Sequence, residues 1–349
     1  MKNRGRIVGM VFCGTLGVVS CAGGPKEIQS MNQAFQCLSA ALEKNESERE
    51  KIRKSNEITW RFAFISSSEK GKIERNGTFN IDQTKMENDD LSGLEGDYAD
   101  ENGAYSFREN RFYLAEGEKK EVYDVEMTKT EFLDYLLPFD ARYVNLFSVV
   151  DHRVFDWLAM ELTSDQIFDY YVSEISTVSS LNVSSLITKK DRKLLVDSLD
   201  VVREQVHRSF SYGGTTARIE FVADAEGVAA VFDAVSADVK SAIKAIDGAE
   251  YSTIYSKAVE NIYRTIGAEL EKNEENVKKT EHLNIAFPIE RDRVSAVLLN
   301  YTFSGESFSD EFRSDWAKGY AELQMVDADE FIDRGPIEPN GKSDDSTNR

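Results

Sequence analysis

Three kinds of apolar spacing follow one another along this chain. An unbroken apolar run from Ile7 to Val19 opens it. Steps of three and four come next, in Ile28, Met31, Phe35, Leu38 and Leu42, and then strict alternation in Ile58, Trp60, Phe62 and Phe64. Steps of three and four line one side of a helix, whereas a period of two lines one face of a strand. The second pattern therefore predicts a helix from Glu27 to about Lys54. Its outer part, Glu43 to Lys54, is almost wholly polar and is expected to project or fray. The third predicts a strand over Glu57 to Ser66 with one large apolar face.

The remaining elements follow by the same criteria. Glu69 to Lys72 reads as a turn, Lys72 to Asp82 as the returning strand, and Gln83 to Asn102 as an acidic loop. Ala104 to Arg108 and Arg111 to Ala115 predict a tight hairpin about Glu109-Asn110, and Lys120 to Met127 a further strand. Short turns between successive strands imply antiparallel pairing. Thr130 to Leu137 predicts a short helix stopped by Pro138, and within the apolar stretch Ala141 to Leu162 a strand is expected at Val154 to Leu162. Thr163 with Gln166 and Thr188 with Asp191 match capping boxes, the second opening a helix from Asp191 to Arg208. Strands are expected at Thr216 to Ala223 and Val228 to Val235, around the turn Asp224 to Gly227. Helices follow at Ser236 to Ile246 and Tyr251 to Lys278. Leu283 to Ile289 with Val294 to Phe303 predicts the last hairpin, Phe308 to Leu323 a helix, and everything after Asp333 a disordered polar tail. The sum is an α+β fold: nine or ten strands delivered as antiparallel hairpins, with helices inserted between the pairs.

The opening run changes the picture of where the chain works. Lys2, Arg4 and Arg6 precede the apolar stretch, which ends in Val18-Val19-Ser20-Cys21. A basic start, a short apolar core and a small residue before a cut describe a secretory signal. The run also falls short of the roughly 20 residues a membrane span needs. Its ending resembles the lipobox of bacterial lipoproteins, in which the peptide is removed before a cysteine that then carries acyl chains such as palmitate. The expected organisation is thus a signal peptide at 1–20, a lipidated tether at 21–26 starting at Cys21, a single α+β domain at 27–333 and a tail at 334–349. The implied location is the cell membrane or outer membrane of a cell envelope, lipid-anchored on the extracytoplasmic side.

Charge narrows the partners. The chain carries 62 acids against 42 bases, a net −20, and losing the three signal cations takes it to about −23. Nucleic acid is excluded, because its phosphates demand clustered Lys and Arg. An electrostatic grip on anionic lipid is excluded too, so the acyl anchor is the expected membrane contact, worth about 0.8 kcal/mol per buried methylene. Of the three cysteines, Cys13 leaves with the signal and Cys21 is the lipid site. Cys37 then has no disulfide partner, and its place among Ala34, Phe35, Leu38 and Ala41 predicts a buried, inert thiol.

Catalytic and metal motifs are missing. The chain has no G-x-S-x-G, H-E-x-x-H or C-x-x-C and no phosphate-binding glycine loop, and Gly341-Lys342-Ser343 lacks a P-loop's spacing. Asp197, Asp200, Glu204 and His207 share one helical face, but Glu204-x-x-His207 occurs once where a di-iron site needs two copies. Asp97 to Gly103 fails as a calcium loop, with Ala99 at the third position and its glycine at the seventh. Solvated acids are the reading for both. No enzyme, cofactor or metal is expected. What remains is the aromatic face Trp60, Phe62 and Phe64 with Phe79, Phe107 and Phe112, which packs as ordinary core or lines an apolar cavity for a lipid or other hydrophobic ligand.

The order of features from Glu57 onward resembles the lipid-binding lipoproteins of the LolA and LppX type. Ile58 to Ile65 with Gly77 to Ile81, Tyr105 to Arg108 with Arg111 to Leu114, and Ala217 to Val222 with Val228 to Phe232 carry that resemblance. It implies a strongly curved antiparallel sheet wrapped around helices packed on one face, with an acyl-binding cavity between them. The long helical segments 164–208 and 236–278 depart from that family's compact layout. The expected function is a non-catalytic binding domain for a hydrophobic ligand; the alternative is an envelope interaction or scaffold lipoprotein with a filled core.

Overall fold

The computed structural model describes residues 26–86, 91–116, 119–137, 144, 150–179, 183–185, 187–247, 254–323 and 331–337. The expected signal peptide, Cys21, most of the tether and residues 338–349 of the tail lie outside them.

The fold is α+β, built on one open, curved and mostly antiparallel sheet of thirteen strands. In chain order these are β1 (Glu57–Ser68), β2 (Gly71–Asp82), β3 (Leu94–Asp100), β4 (Gly103–Arg108), β5 (Arg111–Glu116), β6 (Lys119–Asp124), β7 (Ser211–Thr215), β8 (Arg218–Asp224), β9 (Thr280–Glu290), β10 (Arg293–Val294), β11 (Val297–Phe303), β12 (Glu306–Lys318) and β13 (Ile332–Pro336). Across the sheet they run β13-β6-β5-β4-β3-β2-β1-β12-β11-β9-β8-β7, with β10 paired to β9 and only β13 on β6 parallel. The first strand therefore pairs with the twelfth, at the middle of the sheet, with Trp60 opposite Trp316 and Phe64 opposite Phe312.

Alternation sets the inner face. Ile58, Trp60, Phe62 and Phe64 are all buried, as are Phe79, Tyr98, Phe107, Phe112, Ile219, Phe221, Phe287 and Phe312 from the flanking strands. Two glycines make room for this aromatic floor: Phe62 lies across from Gly77 and Phe79 across from Gly96. A β-carbon on Gly77 would come within 2.7 Å of the Phe62 ring, and one on Gly96 within 2.3 Å of the Phe79 ring.

Seven helices lie among the described residues: α1 (Met31–Arg53), α2 (Lys129–Leu136), α3 (His152–Leu158), α4 (Ser164–Ser179), α5 (Lys189–Ser209), α6 (Ala225–Asp247) and α7 (Ile254–Lys278). Side-chain caps fix several of their starts. Ser30 accepts from the Gln33 amide, and Thr128–Glu131 and Thr188–Asp191 form reciprocal boxes. Phe35, Leu38 and Leu42 of α1 complete the main core over the sheet, with Phe35 stacked on Phe221, while Phe132 of α2 meets Phe79 edge-on. A second, smaller cluster joins α6 to α7 through Val239, Ala242, Ile246, Val259 and Tyr263. Cys37 is partly buried against the main core.

Several local expectations are overturned. Residues 228–235 are helical within α6, not a strand; their valines fall at helical steps toward Val239, and alanines between them outweigh β-branching. The partner of β8 is β7 instead, which the glycines Gly213 and Gly214 hid. Residues 306–318 form the central strand β12 rather than a helix, because Asp310 and Ser314 stand on the same alternating face as Phe312 and Trp316 and blur its period. Residues 152–158 are helix α3, capped by Asp151, not a strand. The acidic loop contains β3, and the tail contains β13. The polar end of α1 does not project. Lys44 donates to the Arg291 carbonyl, Glu46 accepts from the His152 amide and ring, and Glu48 pairs with Arg293.

Candidate ligand cavity

The C-terminal half of α1 crosses the sheet without filling the space beneath it. That leaves a cavity of about 800 Å³ between α1, α2, the β9–β10 turn and the inner face of β3, β2, β1 and β12. Its wall is apolar. Trp60, Ile81, Leu94, Phe312 and Trp316 come from the sheet, Phe132 and Leu133 from α2, Ile52 from α1, and Leu91, Leu137 and Val294 from the connections. Trp60 and Trp316 stack at 5.8 Å between centroids, and the Trp60 indole N–H donates to Ser314 Oγ at 3.0 Å. The volume lies within the roughly 300–1,000 Å³ of ordinary small-molecule sites. A second hollow, between α6 and α7, measures about 250 Å³.

Of the six aromatic residues singled out in the sequence, Trp60 lines this cavity. Phe62, Phe64, Phe79, Phe107 and Phe112 are instead packed core. Phe79 meets Phe62, Phe107 and Phe132, and Phe112 stacks on Phe132, so α2 covers this part of the face. The lining that sequence reasoning missed comes from α1 and β12. Asn45, Glu48, Arg49, Ile52 and Arg53 lie on a helix end that reads as solvent-facing, and Trp316 on a strand that reads as helix. Asn45, Arg49 and Arg53 recur every fourth residue, which was the available signal.

Charged side chains line the cavity as well: Arg49, Arg53, Lys129, Arg291 and Arg293, with Glu48, Glu290 and Asp315. Burial foremost lowers the Arg49 pKa, Glu46 opposes that shift, and the nearby Arg53 charge adds to it. Asn45 Nδ2 donates to the Val294 carbonyl at 3.0 Å, while its Oδ1 is buried without a hydrogen-bond partner among the described residues. The β9–β10 turn holds Arg291 and Asp292 at φ 52° and 62°, a left-handed pair that non-glycine residues adopt only when the surroundings over-determine it.

Compared with known proteins, the chain matches no family model and resembles no curated sequence.

The other candidate residues have partners of their own. His152 lies between Glu46, 2.8 Å from Nδ1, and Asp156, 4.0 Å from Nε2, with Asp151 alongside and bonded by Arg153. These groups tie α1 to α3. Glu46, Asp151 and His152 have ligand atoms within 4.8 Å of one another, yet each already serves that junction. Along α5, Asp197 pairs with Lys193, Asp200 with Arg203 and Glu204 with Arg208, and the His207 ring bonds the Leu158 carbonyl. Asp97 to Gly103 forms the β3–β4 hairpin. No described helix is long and apolar enough to cross a membrane.

Proposed function

We propose that this chain is a lipid-anchored extracytoplasmic protein whose domain holds a hydrophobic ligand without chemical turnover. Cys21 is the lipidated residue, and the acyl anchor is the membrane contact. The observation that carries the reading is the cavity under α1, lined in part by two stacked tryptophans and by aliphatic side chains such as Ile52, Ile81, Leu91 and Leu94. About ten buried methylenes, at about 0.8 kcal/mol each, would give about 8 kcal/mol of gross transfer energy. That is the order needed for micromolar binding before association costs are subtracted. An unfilled volume of this size speaks against the scaffold alternative, which requires a filled core.

Native mass spectrometry of the full chain purified from cells tests the ligand. A co-purifying lipid mass that Leu133→Trp removes supports the reading, since Leu133 is exposed at the cavity and can be enlarged without invading the core. A protein that stays empty in cells and after incubation with a total lipid extract refutes it. Cys21→Ala tests the anchor separately: incorporation of a radiolabelled fatty acid is lost if Cys21 carries it.

A further inference from the structure

The charge lining the cavity runs against the charge of the molecule. The chain as a whole carries three acids for every two bases. The groups lining the cavity invert that ratio, with five cations and three acids. Two of those acids are already engaged, Glu48 by Arg293 and Asp315 by Arg61. Arg53, Lys129 and Arg291 have no ion-pair partner among the described residues. Arg49 and Arg53 are separated by one helical turn, a like-charge spacing that destabilises a helix. Asn45, one turn before Arg49, adds the buried Oδ1 that accepts no hydrogen bond. Asn45, Arg49 and Arg53 thus form one polar and basic stripe along α1, while the sheet opposite contributes Trp60, Ile81, Leu94, Phe312 and Trp316 together with Ser314 and Asp315.

Resting on the reading of this cavity as a ligand site, we propose that its occupant is an anionic amphiphile. A carboxylate or phosphate head sits between Arg49, Arg53 and Arg291, and a hydrocarbon chain lies against Trp60, Trp316 and Phe132. Guanidinium groups suit such heads because their N–H donors match the paired oxygens of carboxylate and phosphate. A neutral amphiphile would leave the charges of Arg53 and Arg291 uncompensated, and a cationic one would be repelled.

The test is a set of single-chain probes of one length, hexadecanoate, hexadecan-1-ol and hexadecylamine, titrated below their micelle concentrations. Tryptophan fluorescence of the full chain reports binding, because two of its three tryptophans line the cavity. Hexadecanoate should bind about tenfold tighter than the alcohol, with the amine weakest, and the advantage should shrink at high salt. Arg49→Gln with Arg53→Gln should weaken hexadecanoate about tenfold and leave the alcohol within about twofold; Lys272→Gln, on α7, should change neither. Hexadecyl phosphate in place of hexadecanoate separates a phosphate preference from a carboxylate one. Three probes binding alike, or a double variant that weakens all of them equally, would overturn the anionic head and leave the cavity reading intact. No binding by any probe would remove the cavity reading itself.

Discussion

Replacing Gly96 by alanine probes the aromatic floor directly. The added methyl would lie 2.3 Å from Phe79 Cδ1 and 2.6 Å from the Thr78 carbonyl oxygen, where ordinary contact begins near 3.4 Å. Phe79 has nowhere to retreat: it is fully buried, with Trp60, Phe62, Phe107 and Phe132 ring centroids between 5.9 and 6.5 Å away. Overpacking of this kind costs about 1–3 kcal/mol, and the backbone contact places Gly96→Ala toward the upper end. Phe79→Leu alone costs about 1–2 kcal/mol from lost contacts. Because the smaller side chain vacates the space the methyl needs, the double variant should cost about 1 kcal/mol less than the sum. Urea unfolding followed by far-ultraviolet circular dichroism measures all three, with midpoint shifts compared at constant slope. Gly213→Ala is the control: nothing lies within 4 Å of its β-carbon, so it should be neutral or stabilising by about 0.4–1 kcal/mol. A Gly96→Ala protein within about 0.5 kcal/mol of the parent, or strict additivity in the double, refutes the floor described above.

Three other outcomes are expected. Asn80→Ala should cost about 2 kcal/mol and open Lys318 to trypsin. On the opposite sheet face, Asn80 and Thr59 hold the Ala321 backbone at 2.8–2.9 Å, and their loss strands buried partners. Arg334→Gln should cost about 1–2 kcal/mol and release β13, measured by hydrogen exchange at residues 332–336. It leaves the buried Glu121 carboxylate without the guanidinium 2.6 Å away, the cost being tempered by the exposure of Arg334. Alkali should unfold the protein between pH 10 and 12. Burial, chiefly, pushes Tyr135 and Tyr171 up to about 12 and raises Tyr98 and Tyr105 as well. A phenol whose pKa is higher folded than unfolded gives stability that is complete below pH 10 and lost as pH rises through the folded value. A flat stability profile across that window, by circular dichroism, would contradict the burial of these rings.

Where one physical cause dominated, the sequence was readable. The alternation at 58–64, the left-handed pair Glu109-Asn110 between β4 and β5, and the capping boxes at Thr163 and Thr188 all stand in the structure as their residues indicate. Misreadings cluster where tertiary burial reverses local preference. The valines of 228–235 favour a strand in isolation, but Val235 packs with Val239 against the cluster that joins α6 to α7. The alternation of β12 carries Asp310, whose burial depends on strands far away in the chain. The cavity was half legible. Trp60 announced itself as a large residue on a clean apolar face, whereas Arg49 and Arg53 belong to a stretch whose polarity is the mark of an exposed helix. The turn at 290–293, more than two hundred residues onward, lines the same cavity as they do.

The pairing of β1 with β12 sets the order in which the molecule is finished. The Trp60–Ser314 hydrogen bond spans 254 positions, and among the described strands the β1–β12 pairing is what joins the β2–β6 wing to the β11–β7 wing in one sheet. Such distant closure slows folding, since the entropy of a long loop is lost before any contact across it forms. Until β12 has been synthesised, β1 and β11 both expose bare hydrogen-bonding edges beside aromatic surface. A message cut short after Phe303 should therefore yield two half-sheets with sticky rims, recovered in the insoluble fraction rather than as a smaller folded product.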